Sequence, residues 1–212
     1  MGPNNIMLKL ILELLLKLLI IILTIIVLKK RNKNQFAKGH YIWVFLFLCY
    51  IMLVFSVTGA GSILHMNDLN KSLFAPGQII FIPIFGEGNG NLLGKILDNS
   101  LNMIMCIPLG ILLPILWHTF LDGKKIIAYG FFLSLYIELT QLLNIRVTDV
   151  NDLIFNTLGT AIGYLMFRIL RRIFKRQENN TQTDDYRKAE KTEIIVISVV
   201  LVLIQQFVNM SI

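Results

Sequence analysis

Several polar residues interrupt the long apolar stretches of this sequence, and their side chains are the ones best suited to chemistry. Glu138 and Gln141 are three residues apart, so they share one face of a helix. Asn102 and Asn156 each lie about one turn inside a different apolar stretch. An ionisable residue inside a membrane helix marks a functional site by default. The predicted ligand-binding residues are Asn102, Glu138, Gln141, Arg146, Asp149, Asp152 and Asn156.

No catalytic or metal-binding pattern accompanies these residues. His40, His65 and His118 lie singly near the ends of apolar stretches, where an interfacial position fits them better than a zinc site. The glycine-rich segment 86–90 opens no βαβ unit, so it predicts a turn rather than a nucleotide loop. We therefore predict no metal and no cofactor. A non-enzymatic role is favoured, and catalysis stays open.

The composition indicates a membrane protein. Hydrophobic residues make up 55% of the chain and charged residues 16%, against roughly 25% charged in a soluble domain. A membrane helix needs about 20 mostly apolar residues. The sequence therefore predicts an all-α, polytopic bundle of about six transmembrane helices. Their expected spans are 6–28, 41–57, 99–117, 126–143, 152–170 and 193–212.

The basic residues orient this predicted bundle. If the loop after the first helix is cytoplasmic, fifteen Lys and Arg side chains lie in or beside the inner loops and three in the outer loops. Cytoplasmic loops are rich in Lys and Arg, so this asymmetry supports the assumed orientation. Both chain termini are then expected outside the cytoplasm.

Four regions are expected along the chain. Within the second region, the main membrane domain, the long outer segment 59–98 contains an apolar run at 79–85. This run is too short to span the membrane and too apolar for a solvated loop, which predicts an interfacial or re-entrant piece. The regions are an N-terminal helix with a basic loop (1–40), a main membrane domain (41–176), a polar and mobile cytoplasmic linker (177–192) and a C-terminal helix (193–212).

Small residues and prolines predict how some helices pack. Gly159 and Gly163 are four residues apart, on the side of their helix that would let a neighbouring helix approach closely. Pro108 and Pro114 each remove a backbone donor inside the third helix, which predicts a kink there.

The first helix carries charged residues at a regular spacing. Lys9, Glu13 and Lys17 recur every four residues and share one face. An ion pair between Glu13 and Lys17 would reduce the cost of placing Lys17 in the membrane, and we favour it over contact with another subunit.

Two interpretations of the polar cluster remain open. The third and fifth helices start at the outer face in the expected orientation, so their positive N-terminal ends would suit an anionic head group. The polar groups could instead only hold the helices together. Asp149 is well placed to cap a helix, but capping does not explain Asn156, which lies a full turn deeper.

Three blocks of the sequence resemble the VanZ-like family. They are residues 102–114 (NMIMCIPLGILLP), 134–141 (SLYIELTQ) and 146–163 (RVTDVNDLIFNTLGTAIG). Their order, spacing and placement on consecutive predicted helices carry the resemblance, which covers roughly residues 45–170. It implies a bacterial, multi-pass protein of the cell membrane. The members that give the family its name raise resistance to teicoplanin-type lipoglycopeptides.

Three functions are compatible with these observations. The first is a non-enzymatic binder at the outer leaflet, whose ligand is a lipid-linked cell-wall precursor or the lipid-tailed antibiotic itself. The second is an enzyme that acts on a lipid phosphate or carrier, with Glu138 or Asp152 as base or metal ligand. The third is a structural or partner role in an envelope complex. Membrane lipids are expected partners in each case, and nucleic acid is not.

Overall fold

The computed structural model describes most of the chain as helix. It describes residues 3–32, 35–37, 39–58, 60, 79–80, 92–143, 148–173 and 183–207. Six helices account for nearly all of them, which confirms the all-α class. They are α1 (Pro3–Arg31), α2 (His40–Thr58), α3 (Leu92–Leu116), α4 (Gly123–Leu143), α5 (Val150–Ile173) and α6 (Asp184–Phe207).

Three short elements make up the rest of the described secondary structure. A 3-10 helix, His118–Leu121, leads from α3 into α4. Two segments of two residues each, β1 (Ile79–Ile80) and β2 (Thr148–Asp149), pair in parallel. The rest of the predicted interfacial or re-entrant run at 79–85 lies outside the described residues.

The helices belong to two compact units. We call residues 1–67 and 180–212, which contain α1, α2 and α6, the terminal unit. Residues 68–179, which contain α3, α4 and α5, form the central unit.

Two helices begin seven or more residues earlier than the sequence predicted. The third was expected from residue 99 and begins at Leu92. The sixth was expected from residue 193 and begins at Asp184, so residues 184–192 of the predicted linker are helical. The Thr183 hydroxyl accepts a hydrogen bond from the Tyr186 backbone N–H at 3.2 Å, and two acidic residues follow in the first turn. This cap satisfies a free donor at the helix N-terminus and allows a polar segment to be helical.

The outward-facing surfaces of several of these helices are strongly apolar. Four are long and apolar enough to cross a membrane, namely Met7–Arg31, His40–Thr58, Leu93–Leu116 and Val150–Ile173. Large apolar side chains point outward along them, with Leu14 59%, Val27 61% and Ile169 58% exposed. Apolar surface of this extent is unstable in water. The chain is therefore a membrane protein with at least these four candidate spans, and the predicted spans in α4 and α6 remain predictions.

Glycines set the distance between α3 and α5. A β-carbon on Gly159 would overlap the backbone oxygen of Met103, and one on Gly163 would overlap that of Ile107. From the other side, a β-carbon on Gly110 would overlap the backbone oxygen of Thr160. The two backbones are in direct contact at these positions, and only glycine allows this approach.

Both prolines of α3 lie inside an unbroken helix. The helix is assigned continuously from Leu92 to Leu116 and includes Pro108 and Pro114. It is not interrupted, and the predicted kink stays a prediction. Pro114 is buried, as are Leu113 and Leu116 beside it.

Candidate functional site

The N-terminal part of α5 brings two of the predicted residues against neighbouring helices. Asp152 lies in the first turn of α5, and its Oδ1 accepts a hydrogen bond from Asn102 Nδ2 of α3 at 2.6 Å. Because α3 begins at Leu92, Asn102 lies ten residues into this helix rather than one turn from its start. The contact connects the middle of α3 to the start of α5.

One turn further along α5, Asn156 contacts α4. Its Nδ2 donates a hydrogen bond to the Ser134 hydroxyl oxygen at 3.0 Å, and the Asn156 side chain is only 2% exposed. Thr160 follows after another turn and is fully buried. The Thr160 hydroxyl donates to the Asn156 backbone oxygen at 3.0 Å. One face of α5 therefore carries buried polar side chains on two successive turns.

Glu138 and Gln141 place further polar groups in the interior of the central unit. Glu138 follows Ser134 by four residues on the same face of α4 and is 4% exposed. Gln141 is also buried. We define the central cluster as the described side chains of Asn102, Ser134, Glu138, Gln141, Asp152 and Asn156.

Two buried oxygen atoms of the central cluster receive no hydrogen bond from the described residues. They are Oδ1 of Asn156 and Oε2 of Glu138, although Glu138 takes part in a further interaction of its own. A buried polar atom without a hydrogen bond costs about 1–3 kcal/mol. The Asn156 oxygen is a hydrogen-bond acceptor, and Glu138 Oε2 is also one when Glu138 is ionised. A group that satisfies either atom is therefore a hydrogen-bond donor. Hydroxyl, amide N–H and ammonium groups have this property.

Two predicted site residues cannot be placed beside this cluster. Arg146 lies outside the described residues, and of Asp149 only the backbone is described, in β2. Within the described part of the chain, no group of three or more His, Cys, Asp or Glu side chains is arranged to hold a metal ion.

Ser134 and Thr160 belong to the same polar surfaces, but the sequence interpretation did not select them. Ser134 lies four residues before Glu138, and Thr160 lies four residues after Asn156. Extending each helical face by one turn would have found both.

A second group of buried polar side chains occupies the terminal unit. His40 Nε2 lies 2.5 Å from Glu193 Oε1, and Asn32 Nδ2 donates to Glu193 Oε2 at 2.8 Å. Glu193 is fully buried, and the His40 ring stacks on Phe36 with the ring centres 4.1 Å apart. We call Asn32, His40 and Glu193 the terminal cluster. A carboxylate from α6 therefore meets His40 inside the unit, and the expected position of His40 at the membrane interface stays a prediction.

The comparison with known families can be set beside this geometry. A family model described as VanZ/LLP1 matches residues 41–171, which is more than half of the chain. The chain belongs to the VanZ/LLP1 family. The resemblance seen in the sequence is thereby confirmed. No curated protein and no solved structure gives a significant match.

The two clusters differ in their position relative to the residues that match the family. All described residues of the central cluster lie within the VanZ/LLP1 match. All three residues of the terminal cluster lie outside it, Asn32 and His40 before it and Glu193 after it. The central cluster is therefore the candidate site of the family region.

Proposed function

We propose that this VanZ/LLP1 membrane protein binds an amphipathic ligand at the outer leaflet through the central cluster, and that this binding contributes to teicoplanin or lipoglycopeptide tolerance. The observation that carries the proposal is the buried Oδ1 of Asn156, which receives no hydrogen bond from the described residues. A ligand with a hydrogen-bond donor would satisfy this atom and recover the cost of its burial.

The position of the cluster supports an outer-leaflet site. The excess of Lys and Arg in the loops predicted to be cytoplasmic orients the start of α5 toward the outside. Asp152 and Asn156 lie in the first two turns of α5, and the basic residues Arg171 and Arg172 lie in its last turn. In this orientation the polar cluster belongs to the outer half of the membrane.

The chemistry of the cluster narrows the ligand class. Amide and carboxylate oxygens recognise the hydroxyl and N–H groups of sugars and peptides. A lipid-linked cell-wall precursor and a lipid-tailed glycopeptide both present such groups in a molecule that also carries a long hydrocarbon chain. Arg146 and the positive N-terminal end of α5 would meet the anionic groups of either ligand.

Growth inhibition tests the proposal in cells. A sensitive Gram-positive host would express the wild type, Glu138→Gln, Asp152→Asn or Asn156→Leu, with equal amounts of protein in the membrane. The matched control is Thr157→Val, since Thr157 neighbours Asn156 and, among the described residues, its hydroxyl bonds only to the Leu153 backbone oxygen of its own helix, at 2.7 Å.

The expected result is selective tolerance of teicoplanin over vancomycin. The wild type and Thr157→Val should confer it, and the three cluster variants should lose it. Full tolerance in the cluster variants at equal membrane levels would contradict the proposed site. No tolerance from the well-expressed wild type would contradict the proposed resistance role.

A further inference from the structure

A polar cleft lies in the terminal unit, between the end of α1 and the start of α6. It has a volume of about 240 Å³. This is smaller than the pockets that enclose drug-sized ligands, roughly 300–1,000 Å³, so it suits a head group or a small ion. Its lining residues are Arg31, Asn32, Gln35, Asp185, Lys188, Ala189 and Thr192.

One face of α6 forms a wall of this cleft. The lining residues Asp185, Lys188, Ala189 and Thr192 are spaced three, one and three residues apart, which places them on a single helical stripe. Of these residues, Asp185 lies in the first turn of α6, and the other three lie in the next two turns.

The charged groups of the cleft favour an anion. Arg31 and Lys188 contribute two positive charges, and Asp185 contributes one negative charge. Neither cation takes part in the ion pairs found among the described residues, which join Glu13 to Lys17 and Glu193 to His40. Two cations and one carboxylate thus line one small cavity, and the balance of these charges is positive.

The terminal cluster fixes the inner edge of the cleft. The Asn32 side-chain nitrogen donates to Glu193 at 2.8 Å and contacts the Tyr41 hydroxyl at 3.3 Å. Asn32 is 5% exposed, so its position is set by buried partners. The cleft is therefore built on an ordered wall that joins α1, α2 and α6.

The expected topology places this cleft at the cytoplasmic leaflet. The last turn of α1 is Lys29, Lys30 and Arg31, the type of basic sequence that follows a helix into the cytoplasm. Anionic lipids are concentrated there, and basic pockets between membrane helices bind their head groups. We propose that the cleft binds a phosphate-bearing anion, for which an anionic lipid head group and free inorganic phosphate are the two sources.

Thermal unfolding of the purified full-length chain in a neutral detergent tests this proposal. The probes are a short-chain phosphatidylglycerol, a phosphatidylcholine with the same chains, and inorganic phosphate. The test variant is Arg31→Gln/Lys188→Gln. The control, Lys29→Gln/Lys191→Gln, removes two exposed cations from the same helices, outside the cleft, with the same change in net charge.

Phosphatidylglycerol should raise the unfolding temperature of the wild type and the control, and phosphatidylcholine should not. Loss of two cations should weaken apparent binding about thirtyfold in the test variant. Equal stabilisation of the wild type by inorganic phosphate would identify the free anion as the source. No stabilisation by either anion, or equal losses in both double variants, would overturn the proposal.

Asp185→Asn keeps the proposal testable if the double variant does not fold. It removes the acidic side chain found among the described residues of the cleft lining and retains both cations. Apparent binding of phosphatidylglycerol or phosphate should become severalfold tighter. Unchanged or weaker binding would overturn the proposal.

Discussion

The two polar clusters of this protein differ in how completely their buried groups are satisfied. In the terminal cluster, one carboxylate oxygen of Glu193 lies 2.5 Å from His40 and the other accepts from Asn32 at 2.8 Å. In the central cluster, the Asn156 amide donates to Ser134, while its oxygen receives no hydrogen bond from the described residues. Each cluster joins three helices, but among the described residues only the central cluster leaves a buried acceptor, Asn156 Oδ1, without a donor.

This difference assigns separate roles to the clusters. A buried carboxylate with partners on both oxygens holds α1, α2 and α6 together, and removing it exposes two partners to an apolar interior. A buried amide oxygen without a donor adds cost to the folded state and adds no stability. We therefore attribute a structural role to the terminal cluster and ligand binding to the central one.

The largest expected effect concerns the backbone contact that supports the central cluster. In Gly163→Ala the new β-carbon overlaps the Ile107 backbone oxygen and approaches Gly110, so α3 and α5 must separate. We expect a loss of about 3 kcal/mol or more in unfolding free energy, measured by denaturant titration in detergent. The control is Gly39→Ala, where an added β-carbon meets nothing within 4 Å. Equal stability of the two variants would show that the helices are not in direct contact.

The next largest effect concerns the terminal cluster. Glu193→Leu leaves His40 and Asn32 without their buried carboxylate, and we expect a loss of about 3 kcal/mol in unfolding free energy. His40→Leu should reduce the cost of the Glu193 change, with a coupling energy of about 1–3 kcal/mol in a double-mutant cycle. Additive effects of the two changes would contradict a structural pair.

The smallest effect on stability is expected in the central cluster. Asn156→Leu loses the hydrogen bond to Ser134, which lowers the unfolding free energy. It also removes a buried acceptor that receives no hydrogen bond from the described residues, which raises the unfolding free energy, so the two effects oppose each other. The unfolding free energy should fall by less than about 1 kcal/mol. A loss as large as that of Glu193→Leu would show that the amide oxygen is satisfied and that this cluster, too, is structural.

Patterns within one helix were sufficient to predict much of this arrangement. Apolar runs located the six helices, and the spacing of Asp152, Asn156, Gly159 and Gly163 placed all four on one side of α5. The early starts of α3 and α6 were missed because polar residues within both N-terminal segments interrupt the apolar pattern. A capped helix can continue through such residues, as α6 does after Thr183.

Contacts between distant parts of the chain could not be predicted in the same way. His40 and Glu193 are separated by 153 positions, and each lies at the edge of an apolar run. No local period links them, so both were assigned to helix ends. Likewise, the hydrogen bond from Asn156 to Ser134 depends on the relative rotation of α4 and α5, which a single sequence does not determine.

Direct binding tests the central claim, that the central cluster holds a ligand. The wild type, Asn156→Leu and Thr157→Val would be placed in lipid nanodiscs and titrated with labelled teicoplanin and with a labelled lipid-linked cell-wall precursor. We predict saturable binding of at least one probe by the wild type and Thr157→Val, and binding about tenfold weaker in Asn156→Leu, because the ligand loses its acceptor. Equal affinity in all three proteins, or no saturable binding of either probe by the wild type, would contradict the account.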